Sequence, residues 1–172
     1  MIICKTDRLI IRQLEQEDAP FILKLLNDKS FLENIGDKGV RTEEDAIEYL
    51  EDGPLESYKK YGFGLNLVTL KTSDTPIGIC GLLQRETLEH PDIGYALLPE
   101  YRGKGYAKEA AKAVLDDGHH THKLNTIWAV VSPGNASSSG LLDKLNFQRR
   151  GTIDFDGEEN YLYEHEWKSK NK

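Results

Sequence analysis

The chain has 172 residues, the size of one domain with a single well-formed core. Its 22 Lys and Arg stand against 29 Asp and Glu, a formal net charge of -7, which argues against general nucleic-acid binding, since that needs clustered cations to displace counterions from phosphates. Lys5, Asp7 and Arg8 interrupt any signal-peptide core, no run approaches the roughly 20 apolar residues of a membrane span, and Cys4 and Cys80 form no CxxC pair, so a cytoplasmic protein without a membrane partner is expected.

Residues 8–14 are β-rich and follow a Thr-Asp turn signal, which predicts a first strand. Asp18 then caps a helix whose apolar positions Phe21, Ile22, Leu25 and Leu26 share one face, and Gly36 and Gly39 end that region. Thr42 with Asp45 three residues on resembles a capping box and opens a second helix with Ala46, Tyr49 and Leu50 on one side, which Gly53 and Pro54 kink or split. Residues 63–70 and 77–83 are apolar runs around a Thr-Ser-Asp-Thr-Pro turn, the pattern of a β-hairpin in which Cys80 is a small buried hydrophobe. Residues 93–98 form a further strand stopped by Pro99, which has no amide hydrogen to give a neighbour. A helix over 104–117 presents Tyr106, Ala107, Ala110, Ala111, Val114 and Leu115 on one face and stops at Gly118. Residues 126–131 read as a buried strand, 135–145 as a short helix, 147–155 and 161–167 as two closing strands, and 168–172 as a frayed tail. The pattern predicts a mixed α/β domain with no linker or internal repeat.

The chemistry concentrates in the strand-to-helix turn that runs from Pro99 to Glu109 and carries Gly103 and Gly105 at the helix entrance. A helix start has unpaired N–H groups and a partial positive charge, and a loop without Cβ atoms lets an anion reach those donors. Arg102, Lys104 and Lys108 crowd the end of the helix that favours acids, with only Glu109 in compensation. A phosphate or diphosphate ligand resolves that conflict; the plain alternative is a glycine-shaped surface turn with solvated lysines. A P-loop lacks its GxxxxGK followed by Ser or Thr here, and the dinucleotide fingerprint lacks its third glycine, where Lys108 stands.

Arg102-x-x-Gly105-x-Ala107 resembles the [Gln/Arg]-x-x-Gly-x-[Gly/Ala] motif with which the GNAT family of N-acetyltransferases holds the diphosphate of coenzyme A. Asp92-Ile-Gly-Tyr-Ala-Leu-Leu-Pro resembles that family's fourth strand, and Asn135-x-x-Ser138 with Leu142-x-Lys-Leu-Asn-Phe147 resembles its next motif. The three stand in the family's order, the likeness extends from Thr6 to Trp167, and it is closest to the RimJ/RimL-like branch that acetylates ribosomal-protein N-termini. The resemblance implies a single N-acetyltransferase domain over 1–172 with its core at 6–167. It implies a three-layer α/β/α fold around a twisted mixed sheet of about seven strands, whose fourth and fifth strands splay apart to admit pantetheine. It also implies acetyl-CoA as co-substrate and no metal. On this likeness the backbone of Leu97 and Leu98 meets pantetheine, and Arg102, Gly103, Lys104, Gly105, Tyr106, Ala107 and Lys108 gather at the diphosphate. Asn135 and Ser138 lie beside the pantetheine.

Two positions depart from the family pattern. Many relatives carry a tyrosine acid for the departing thiolate where this chain has Leu142; in the branch it resembles, Ser138 takes that role, the alternative being a first-turn serine bonded to nearby backbone. A thiol with a pKa of about 8.5 leaves near neutrality with little help. Asn146 stands where relatives have glycine, and asparagine tolerates a left-handed cap. The implied reaction is direct attack of a neutral amine on the thioester, with the Leu98 N–H on the developing oxyanion and no covalent enzyme intermediate. The candidate bases are Asp92, Glu86 and Glu89, each with the alternative of a solvated turn or strand-edge acid. The acceptor is an amine, of a small molecule or of a protein N-terminus. His119, His120 and His122 lack a carboxylate or cysteine pattern to complete a metal site, and Tyr58, Tyr61 and Phe63 line either an acceptor pocket or the core. A non-catalytic acyl-CoA sensor of the same fold is the rival function; monomer and homodimer are both compatible.

Overall fold

The computed structural model of the protein describes residues 1–155 and 157–167. Strands β1 (Ile2–Lys5), β2 (Leu9–Gln13), β3 (Leu65–Leu70), β4 (Pro76–Leu83), β5 (Asp92–Leu97), β6 (Thr126–Val131), β7 (Gln148–Phe155) and β8 (Glu158–Glu166) form one sheet in the order β1-β2-β3-β4-β5-β6-β8-β7. Between β2 and β3 lie α1 (Ala19–Leu26), α2 (Lys29–Asn34), α3 (Glu43–Leu50) and α4 (Glu56–Tyr61), while α5 (Tyr106–His120) follows β5 and α6 (Ala136–Lys144) follows β6. Neighbouring strands are antiparallel except β5 and β6, which run parallel.

Successive strand residues face opposite sides of a sheet, and this alternation makes two cores. On β5, Ile93 and Leu97 join Ala110, Ala111, Val114 and Leu115 of α5. Leu98, just past the strand, joins Ile22 and Leu25 of α1 and Ala46 and Leu50 of α3 on the other face. The sheet is thus the middle of three layers.

Several sequence expectations hold in detail. Thr42 accepts from the Asp45 N–H at 3.1 Å while Asp45 accepts from the Thr42 N–H at 3.2 Å, a complete capping box at the start of α3. Gly53 and Pro54 sit in a π-helical turn, Glu51–Leu55, that divides α3 from α4. Asn146 adopts the left-handed conformation, with φ of 68°. Other expectations fail. The sheet has eight strands rather than about seven, because β1 adds an edge strand of four residues, irregularly paired with β2 and showing no inside–outside alternation to betray it. The helical region after Asp18 is two helices, the second capped by Asp28, which accepts from the Phe31 N–H. Gly118 does not stop α5, which continues to His120; the glycine is buried within it because a Cβ there would come within 2.8 Å of Leu82 Cδ1. The tail at 168–172 lies outside the described residues. Among the described residues no helix is long and apolar enough to cross a membrane.

Candidate active site

The parallel pair β5–β6 is where the sheet opens. Among the described residues the two strands register only at Asp92 with Trp128, where the Trp128 N–H donates to Pro91 O at 2.8 Å. By contrast β5 matches β4 along its whole length, from Leu83–Asp92 to Gly78–Leu97. Beyond the shared register, residues 94–97 present roughly 13 Å of strand edge to a widening gap. In the eight-strand count these are the strands whose splaying the sequence led us to expect.

Backbone alternation decides which groups face that gap. The Leu98 N–H donates to Ile77 O at 2.9 Å, so this residue turns its amide toward β4 and away from the opening. The expectation that Leu98 donates to pantetheine or to an oxyanion is therefore corrected: its amide hydrogen is already committed within the sheet. Residues of an antiparallel pair alternate between bonded and non-bonded positions, so Leu97, opposite Gly78, and Tyr95, opposite Cys80, direct their backbone groups the other way. The Leu97 carbonyl confirms this, since it accepts from Arg102 Nη2 at 2.8 Å and Nε at 3.1 Å.

Arg102 accordingly does not reach outward to an anion with its side chain. Its remaining donors go to Ser30 Oγ and Asp28 Oδ2, both at 2.9 Å, tying the N-terminal cap of α2 to the end of β5. The glycines after it form the loop the sequence suggested. Gly103 and Gly105 have φ of 74° and 84°, a conformation that favours glycine, and Gly105 is the N-cap of α5. The first helical bond is Glu109 N–H to Gly105 O, at 3.1 Å, which leaves the Tyr106, Ala107 and Lys108 amides without carbonyl partners inside the helix. Lys104 and Lys108 are exposed beside them.

The acid in this turn is held away from the loop. Glu109 forms an ion pair with Arg8 Nε at 2.7 Å, accepts from the Arg8 N–H at 3.0 Å and accepts from the Thr6 hydroxyl. The Arg8 side chain also donates Nη1 to Lys104 O at 2.9 Å and stacks 4.3 Å from the centre of the Tyr106 ring. Arg8 therefore braces the glycine loop from behind. Sequence spacing missed it, because almost a hundred residues separate it from the loop.

On the α5 face of the gap, Ser138 in the first turn of α6 meets Tyr95. Their hydroxyl oxygens lie 2.5 Å apart, and Asn135 caps the helix by accepting from the Ser138 N–H at 3.2 Å. Burial raises the Tyr95 hydroxyl to about 12, opposed by its bond to Ser138. Leu142 is fully buried in the core. The sequence marks Tyr95 only as a strand residue, since an alternating strand pattern does not reveal which hydroxyl meets another element.

Asp92 lies at the closed end of the gap with its side chain on the α1–α3 face, opposite that of Ile93. It is 3% exposed, and burial raises its carboxyl from 3.8 to about 6, opposed by Arg85, whose Nε donates to it at 3.1 Å. Glu86 and Glu89, the other candidate bases, are exposed.

Residues 8–148 match a family model described as an acetyltransferase (GNAT) domain. This chain belongs to the GNAT family. It is similar to p20, an uncharacterised N-acetyltransferase of Bacillus licheniformis, with 33% identity over 159 residues covering 86% of this chain and 83% of that one. A GNAT-family acetyltransferase of Bacillus anthracis superimposes with a TM-score of 0.79 at 28% identity, over 96% of this chain and 98% of its own. RimL, a ribosomal L7/L12 acetyltransferase solved in complex with coenzyme A, shares the fold with a TM-score of 0.82 at 15% identity, over 96% and 98% of the two chains. The protein is a GNAT acetyltransferase.

The remaining candidates of this GNAT chain have partners within the fold. The Tyr58 hydroxyl donates to Leu65 O and accepts from the Leu14 N–H at 2.9 Å, linking α4 to β3 and to the residue just after β2. Phe63 packs between Tyr61 and His122. His119 Nε2 shares a hydrogen bond of 3.0 Å with His165 Nδ1, His120 packs edge-on against Trp167, and His122 lies 3.5 Å from Asp117.

Proposed function

We propose that this acetyltransferase uses acetyl-CoA to acetylate a primary amine by direct transfer, the acceptor being a protein N-terminus or a small-molecule amine. One observation carries the proposal: the edge of β5 that faces the gap leads directly into a glycine loop whose helix has amides without internal partners. A pantetheine arm matches the first feature and a diphosphate the second. A Cβ at Gly103 would meet nothing within 4 Å, so the loop is open to an approaching group. Coenzyme A bound to RimL supports the same assignment by likeness of fold.

Acetyl-CoA supplies an activated acetyl group as its thioester. In the proposed site the amide of Tyr95 or of Leu97, rather than that of Leu98, polarises the carbonyl, and one such donor typically contributes about a hundredfold or more in rate. The amides of Gly103, Lys104, Gly105, Tyr106, Ala107 and Lys108 hold the diphosphate, with the Lys104 and Lys108 side chains adding charge. Asn135 holds the start of α6 at the pantetheine side.

Asp92 and Ser138 serve opposite faces of the gap. Asp92, raised to about 6, is ionised at neutral pH yet basic enough to accept a proton from the attacking amine through water. An α-amine with a pKa near 8 is already about one-tenth neutral at pH 7, so assistance of this strength suffices. Ser138, on the α5 face, donates its hydroxyl to the departing sulfur. The acceptor therefore approaches from the α1–α3 side.

Titration calorimetry with coenzyme A, followed by mass spectrometry of products from acetyl-CoA with a panel of free-N-terminus peptides and small amines, tests the proposal. Micromolar binding and an acetylated amine are expected. Binding with no acetylated product would favour a sensor, and no heat at millimolar coenzyme A would remove the proposal altogether.

A further inference from the structure

The Tyr95–Ser138 contact crosses the gap between β5 and α6 beside the place assigned to the thioester. Among the described residues, Tyr95 is the hydrogen-bond partner of the Ser138 hydroxyl, at 2.5 Å, and the Ser138 amide is fixed separately by Asn135. The ring of Tyr95 packs against the core shared with α5, so the hydroxyl has a defined position. Among the described residues no further hydroxyl is hydrogen-bonded to this pair, and Leu142 in the next turn of α6 is fully buried.

We infer that Tyr95 is a positioning residue for thiolate departure: its O–H donates to Ser138 Oγ, which directs the Ser138 proton into the gap toward sulfur. The inference rests on the acetyl-transfer function proposed above. Either hydroxyl can donate in this contact, and the donor role is assigned here to Tyr95. Burial raises the Tyr95 hydroxyl to about 12, so it has a proton to donate throughout the neutral range. With one lone pair of Ser138 occupied by Tyr95, the serine proton is available to a new acceptor, and its O–H is polarised by the bond behind it.

The same chemistry limits what the pair does. Attack by the amine forms the C–N bond, and collapse breaks the C–S bond and leaves the electron pair on sulfur. A thiol has a pKa of about 8.5, well below that of Tyr95, so net proton transfer from tyrosine to thiolate is uphill. The two hydroxyls therefore stabilise the sulfur anion by hydrogen bonding and retain their protons. The proton that neutralises the thiolate comes from solvent, and the proton lost by the amine nitrogen passes to Asp92 or water.

The test measures kcat and KM for acetyl-CoA from pH 6 to 9, with the best acceptor in the amine panel, for the wild type, Tyr95→Phe, Ser138→Ala, the double variant and Ser138→Thr. Tyr95→Phe keeps the ring and is expected to lower kcat about three- to tenfold, the usual worth of a hydrogen bond between neutral groups. KM and coenzyme A affinity should stay within about twofold. Ser138→Ala should lose at least as much, the double variant no more than Ser138→Ala alone, and Ser138→Thr should retain most of the rate because it keeps the hydroxyl. Wild-type kcat in Tyr95→Phe, losses that multiply in the double variant, or a parallel loss of coenzyme A affinity and thermal midpoint would each overturn the inference. Wild-type protein that binds coenzyme A but turns over no acceptor refutes the acetyl-transfer proposal itself and this inference with it.

Discussion

Replacing Asp92 with asparagine should make the protein more stable and less active, and the size of the gain should depend on pH. The Asp92 carboxyl rises from 3.8 to about 6 on folding. A raised value means that the group's contribution is fully present below 3.8 and is lost as pH climbs through about 6. At about 1.4 kcal/mol per pKa unit, holding the ionised carboxylate in this site costs about 3 kcal/mol at pH 8. Asparagine carries no such cost. The substitution also deprives Arg85 of its anionic partner, but that side chain is 36% exposed and water replaces part of the contact. A net gain of about 1–3 kcal/mol at pH 8 is therefore expected. For a chain of this size that is a rise in melting temperature of roughly 2–10 °C, shrinking toward zero near pH 4. Calorimetric melting of both proteins at pH 4, 6, 7 and 8 measures it, and activity at the same pH values should show the wild-type limb near pH 6 missing from the variant. Parallel stability curves, or a variant less stable at pH 8, would refute the electrostatic reasoning.

Three further outcomes follow from the geometry. Arg8→Met should release Lys104 O and Glu109, weakening coenzyme A binding about tenfold while leaving pantetheine, which lacks the diphosphate, unaffected; paired calorimetric titrations distinguish the two ligands. Gly118→Val should destabilise the protein by about 1–3 kcal/mol, read as a lowered denaturation midpoint, because Leu82 Cδ1 and Ile127 Cδ1 would stand 2.8 and 3.1 Å from even its first carbon. His165 is lowered below 6.5 by burial and then by His119, with Asp116 opposing. Below pH 6.5 the unfolded chain therefore takes up a proton that the folded one resists, and stability falls with pH; His165→Gln should flatten that acid slope in thermal melts from pH 7 to 5.

What the sequence disclosed was whatever depends on local order. The Thr42–Asp45 cap, the break at Gly53-Pro54 and the glycine loop each arise within a few residues, and each is found where the local pattern put it. What stayed hidden depends on remote partners. Gly118 carries a stop signal, yet the pressure of Leu82 and Ile127 against α5 outweighs it. The charge conflict at the loop is relieved partly by Asp28, far away in the chain, which pairs with Arg102, while the nearby acid Glu109 is taken by Arg8. Leu98 looked equivalent to Leu97, but strand pairing assigns adjacent amides to opposite neighbours, and the register is visible only once β4 is in place. Tyr95 and Ser138 come together by the same tertiary route.

Arg102 has a practical consequence for anyone retargeting the enzyme. Its single guanidinium clasps Leu97 O on one side and Asp28 and Ser30 on the other. A foreign α1–α2 segment grafted to change acceptor choice must bring a carboxylate and a hydroxyl at those two positions. Otherwise the arginine swings loose, and an edit made in α1–α2 also disturbs the end of β5.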